Sequence, residues 1–187
     1  MSNRDSREAR YHHGDLRAAL VAEGIRLLTA GGASDLSLRV VAGNVGVSAT
    51  AVYRHFPDKD ALQSAVSEEG FRRLGQRQAA ASAAAGQGQS AGFLASGAAY
   101  VRFALENPAL FRLMFSRPTA ASRQSEAAAL LGRNAAAFAP GGVDPDIFAL
   151  QAWSIAHGLA MLMLDRLAPA DEMIVEKVLA GLLVAQR

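Results

Sequence analysis

Ala49, Thr50 and Tyr53 stand at i, i+1 and i+4 of the segment Ser48–Phe56 (SATAVYRHF), so on a helix they share one face. Their chemistry suits the edges and backbone of duplex DNA. The methyls of Ala49 and Ala51 can contact thymine, and the Thr50 hydroxyl can meet a base edge or a thymine methyl. Tyr53 can reach a phosphate or pack on a sugar, while His55 and Lys59, near the end of the segment, can meet phosphates. Ser48 suits a helix cap and a phosphate contact together, and Arg39 lies one short element upstream, within reach of a base or the backbone.

The elements that must hold these groups are legible around them. Ser37 is placed to cap a helix over about Leu38–Asn44, Gly46 to make a tight turn, and Ser48 to cap a second helix over Ala49 to about His55. Val40, Val41, Val47, Val52 and Phe56 supply an inward side, and Ala42 lets two helices approach closely. Two short helices across a glycine turn make a helix-turn-helix, whose second helix enters the major groove. A longer helix precedes this pair, from about Asp15 to Thr29 with Leu16, Leu20, Ile25, Leu27 and Leu28 apolar, ended by Gly31-Gly32. Another follows Pro57, capped by Asp58 and running to about Arg77. The amides after Ser37 and Asp58 suit phosphates.

Catalytic readings find little support. The 187 residues contain no cysteine, which removes disulfides, thiol chemistry and cysteine zinc sites. No HExxH, GxSxG or phosphate-binding glycine loop is present, so neither an enzyme nor a metal or cofactor site is expected. The net charge of +2 is too small to argue for nucleic acid by itself; pattern has to carry that case. The polar, charged N-terminus does not read as a signal peptide, and a cytoplasmic location is expected.

Over the whole chain, 51% of residues are hydrophobic and only 6% aromatic, with alanine frequent, so an all-α fold with a sizeable core is expected. Residues 1–13 read as a flexible arm whose Arg4, Arg7, Arg10, His12 and His13 could enter a minor groove. Residues 14–57 form the helix-turn-helix domain, 58–78 a connecting helix, and 79–187 a second domain. The low-complexity stretch 79–92 (AAASAAAGQGQSAG) reads as a fraying helix end, a loop and a domain seam. Further helical patterns cover about 92–106, 108–116, 123–138, 145–166 and 170–185. The segment Ile147–Leu164 approaches the length of a membrane span, but acids flank it and no aromatic belt does, so a helix buried on two sides is expected and a membrane is not.

Residues 11–62 resemble the N-terminal domain of the TetR family of bacterial regulators. The run VGVSATAVYRHFPDKDAL carries most of the likeness: Gly46, Val47, Ser48, Tyr53, His55, Phe56, Pro57, Lys59 and Leu62 fall on the family pattern. Tyr11–Arg17 (YHHGDLR) is similar to the start of a subset of these proteins. Ala49 and Ala51 depart from members that carry hydroxyl residues there, which leaves the operator sequence open. The run Trp153–Leu162 (WSIAHGLAML) resembles a C-terminal domain of some members named for its Trp-His-Gly residues. The resemblance implies a DNA-binding homodimer, joined through the last two helices, with a pocket for a small effector that releases a repressor from a palindromic operator. Ile174, Val178, Leu182 and Ala185 would line the last helix of that dimer. Phe103, Phe111, Phe115, Trp153, His157 and Met161 are the pocket candidates. With Glu106 and Asp165 the nearest acids, a hydrophobic, neutral or weakly anionic effector is expected. The alternative is a dimeric helical interaction module that has lost specific DNA binding.

Overall fold

The computed structural model describes residues 13–31, 36–86, 89–116, 125–139 and 141–184, and among these every regular element is a helix. They are α1 (His13–Gly31), α2 (Leu38–Val45), α3 (Ala49–Tyr53), α4 (Lys59–Ala84), α5 (Gln89–Glu106), α6 (Pro108–Ser116), α7 (Glu126–Phe138), α8 (Pro145–Leu164) and α9 (Glu172–Val184). The all-α expectation holds. Residues 1–12 of the N-terminal arm, Gly32, Pro118, Pro140 and Ala185 lie outside the described residues, while His13, assigned to the arm, opens α1.

The chain divides into two compact units, residues 1–69 and 70–187, so the division falls within α4. In the first unit, α1 buries Leu20, Val21, Ile25 and Leu28 against Val41, Val52, Phe56, Leu62 and Val66. Gly24 sits where α1 meets α4: a Cβ there would lie 2.9 Å from Val66 Cγ2 and 3.4 Å from Leu36 Cδ1. Glu23 of α1 accepts from Asn44 Nδ2 of α2 at 2.7 Å and also pairs with Arg26. That tie fixes α2, and α2 in turn positions α3.

Two details of this unit differ from the sequence reading. Ser37 occupies the N-cap position of α2, but its side chain makes no cap bond; its carbonyl accepts from Val41 N at 2.9 Å instead. Val40 is 44% exposed, because Leu38, Val41 and Ala42 already fill the inward side of so short a helix.

In the second unit, α8 buries Phe148, Ala152, Ala156, Leu159, Ala160 and Met163 along one side, at spacings of three and four. The small alanines bring it close to α5, which buries Ala98, Ala99, Tyr100, Val101, Phe103 and Ala104. α9 closes on α5 where Gly97 faces Leu179, a Cβ–Cδ1 distance of 3.2 Å for any added methyl. The inward residues of α9 are Val175, Leu179 and Leu182, while Val178 of the expected dimer line is exposed and Ile174 half-buried. α4 continues to Ala84, beyond the expected end at Arg77, because its last residues are mostly alanine, which gives up no side-chain entropy in a helix. Residues 79–84 are therefore helix rather than seam.

By length and composition α8 could cross a membrane, but it is a core element of this unit. Its other side leaves Ile147, Leu150 and Leu162 in the open, and α9 adds Met173 and Val178.

Candidate nucleic-acid interface and ligand cavity

The turn between α2 and α3 is built as its sequence demands. Gly46 takes φ 79°, a conformation that costs an L-residue about 1–2 kcal/mol, and its N–H donates to the carbonyls of Ala42 and Gly43. Val47 N also donates to Ala42 O, at 3.0 Å, which closes the end of α2. Ser48 then caps α3, its Oγ accepting from Ala51 N at 3.2 Å. Val52 and Phe56 are buried, so the rotation of α3 about its axis is fixed. Asp58 Oδ1 accepts from Ala61 N at 2.8 Å and starts α4.

With α3 so held, Ala49, Thr50 and Tyr53 share one exposed face, Tyr53 at 52% exposure. Ala51 turns partly inward and is half-buried. Arg39 on α2 and Lys59 on α4 are exposed, and His55 is half-buried with its ring 6.4 Å from that of Phe56. Two cations absent from the sequence reading belong to the same surface. Arg54 is exposed at the C-cap of α3, and Arg17 of α1 sets its guanidinium 5.4 Å from the centre of the Phe56 ring. Arg54 was legible beside Tyr53; Arg17 was not, because only the fold brings α1 to Phe56.

The second unit encloses a cavity of about 560 Å³. Phe71, Phe93, Tyr100, Phe115 and Trp153 supply its aromatic walls, and Gln78, Ser96 and Asn134 its polar ones. Of the six pocket candidates, Phe115 and Trp153 are among the residues that line this cavity. Phe103, Phe111, His157 and Met161 do not line it: Phe103 and Phe111 are buried in the core beneath, and Met161 lies on another side of α8. His157 sits behind Tyr100, whose hydroxyl is 2.8 Å from its Nδ1 and also accepts from Trp153 Nε1 at 3.2 Å. Burial lowers the His157 pKa, which favours the neutral ring. Burial likewise raises the Tyr100 pKa, and the phenol stays neutral.

Glu106 and Asp165 also stand off the cavity, paired with Arg77 and Arg112 respectively. Asp146, exposed in the first turn of α8, is the charged residue among the described residues that line it. Tyr100, Gln78 and Ser96 went unremarked in the sequence. The signal for Gln78 was a lone amide in line with Phe71 and Leu74, at i, i+3 and i+7 on α4. Among the described residues no cluster of three or more metal-ligating side chains occurs.

Comparison with known proteins agrees with both halves. Residues 20–66 match the bacterial regulatory proteins of the tetR family, and residues 93–182 match a tetracyclin repressor-like C-terminal domain. The latter match bears on the family and not on the Trp-His-Gly type. A solved structure from Rhodococcus sp. RHA1, of a protein of unknown function, is 34% identical at TM-score 0.81, over 96% of this chain and 99% of that one. A TetR-family transcriptional regulator from Pectobacterium atrosepticum has the same fold at 21% identity and TM-score 0.71, with 93% of each chain covered. So does a TetR/AcrR-family regulator from Thermobifida fusca YX-ER1, at 20% identity and TM-score 0.66, over 92% of this chain and 99% of that one. No functionally curated protein matches the sequence.

Proposed function

Because the chain belongs to the TetR family of bacterial transcriptional regulators, we propose that it acts as a cytoplasmic repressor, released from a palindromic operator by a small hydrophobic effector. The observation that carries the DNA half is the face of α3: Ala49, Thr50 and Tyr53 are exposed together on a helix whose rotation is fixed from behind by Val52 and Phe56. Thr50 and Ala49 read base edges in the major groove. Ser48, Tyr53, His55 and Lys59 hold the backbone, and Arg39 reaches a base or a phosphate from α2. The amides of the first turn of α2, which the Ser37 side chain leaves uncapped, suit a phosphate as well.

The protein works as a homodimer, and α8 with α9 supplies the interface. Exposed Ile147, Leu150, Leu162, Met173 and Val178 on these two helices support that reading, since a second copy would bury them in a four-helix arrangement. Two copies present two recognition helices to successive faces of a two-fold site. Effector in the cavity of the second unit favours a state in which their spacing is wrong. α4 contributes to both units and carries the change. A coupling of about 1–3 kcal/mol gives a 5- to 150-fold loss of operator affinity, and operator DNA weakens the effector by the same factor.

Selection of bound sequences from a random DNA pool at moderate salt tests this. Enrichment of one palindromic site is the expected outcome. A folded, dimeric protein that enriches nothing would favour an interaction module without specific DNA binding.

A further inference from the structure

Among the described residues the cavity's lining holds no cation, and one of its buried acceptors lacks a donor. From these two features we infer that the effector is an uncharged aromatic or alicyclic molecule carrying a hydroxyl or N–H, which it donates to Gln78. This rests on the reading of the cavity as the effector site and narrows its chemistry.

A carboxylate or phosphate loses its hydration on entering an apolar site and needs a cation or several donors there. None of the described lining residues is Lys, Arg or His. Arg77, Arg102 and Arg112 of the same unit stand outside the lining, each held by an acid: Glu106, Glu172 and Asp165. His157 is separated from the cavity by Tyr100 and is neutral. Asp146 opposes an anion further. For a cationic ligand the described lining offers one carboxylate, Asp146, which is exposed, so water and salt screen the charge it could compensate. About 560 Å³ accommodates a molecule of several rings.

Gln78 stands on the cavity wall with its amide half satisfied. Its Nε2 donates to Ser96 O and Ser96 Oγ, both at 3.3 Å. A carbonyl oxygen only accepts, so this bond fixes which end of the amide faces Ser96. Oε1 is left as a buried acceptor with no partner among the described residues, on a side chain only 8% exposed. A buried acceptor without a donor is costly, and a ligand O–H or N–H would remove that cost. The Tyr100 hydroxyl is already engaged by Trp153 and His157, whereas Gln78 Oε1 is buried on the cavity wall with no partner among the described residues.

Isothermal titration of the full-length protein at neutral pH with three probes of one shape tests this: naphthol, its methyl ether and naphthoate. Naphthol should bind roughly three- to tenfold more tightly than the ether, the worth of one hydrogen bond. It should exceed naphthoate by more than about tenfold. In Gln78→Met, of similar shape, the preference for naphthol over the ether should vanish. Equal binding of naphthol and ether by the wild type overturns the donor requirement, whether or not Gln78→Met folds. Naphthoate binding as tightly as naphthol overturns neutrality but leaves the cavity a ligand site. Failure of all three probes up to their solubility overturns the proposal and the effector reading together.

Discussion

Thr50 has a short polar side chain on an exposed face, flanked there by a methyl and a phenol. If it reads a base edge, Thr50→Ala should weaken the selected operator by about 1–3 kcal/mol and relax the preference at one base pair. Tyr53→Phe, which removes only a phosphate contact, should weaken all duplexes alike. Competition gel shifts with single-base operator variants separate the two patterns. His157 makes a different prediction. Its folded pKa lies below the ordinary 6.5, so the unfolded chain takes up the proton first as pH falls. Its neutral form therefore contributes stability in full above about pH 6.5, lost progressively as pH drops towards the folded pKa. Chemical denaturation of wild type and His157→Phe across this range should show a shallower acid loss in the variant. The exposed face of α3 was legible because Ala49, Thr50 and Tyr53 follow one another along a single short helix. The polar anchor of the cavity was not: Gln78, Ser96 and Tyr100 come from α4 and α5, and their bonds exist only once those helices pack.

At the scale of elements, the α2–α3 turn and the α1–α4 crossing set the recognition surface. Gly46→Ala keeps the chain's chemistry but forces an L-residue to φ 79°, and should cost about 1–2 kcal/mol of stability. Gly24→Val should cost more, since even a Cβ would meet Val66 at 2.9 Å on a stiff side chain. Thermal unfolding followed by circular dichroism measures both. Helix starts at Ser48 and Asp58 were readable because a local side chain makes each cap. The end of α4 was less so: alanine-rich sequence looks like low complexity yet extends a helix that is already nucleated and packed. The inward stripe of α9 was not read from the sequence, because spacing alone does not say which of two apolar faces packs inward; Val175, Leu179 and Leu182 are the ones buried.

For the whole molecule, the apolar residues left exposed on α8 and α9 are the account's basis for dimerisation. Leu150→Glu combined with Val178→Glu should give a folded monomer by sedimentation velocity, with operator affinity reduced at least about tenfold because one recognition helix cannot hold two half-sites. Binding should also be visible from within. Trp153 is the one tryptophan of the chain and lies on the cavity wall, so its emission should change on effector binding and partly recover when operator DNA is added.

The central claim, sequence-specific DNA binding by the face of α3, is tested most directly by the affinity of the purified protein for its selected duplex and for a scrambled duplex of equal length, measured across a range of salt. The account predicts that both affinities fall with salt, as phosphate contacts require, and that the selected duplex is bound more tightly by at least about 10³-fold throughout. Thr50→Ala should narrow that gap. Equal affinity for the two duplexes at every salt concentration would contradict it.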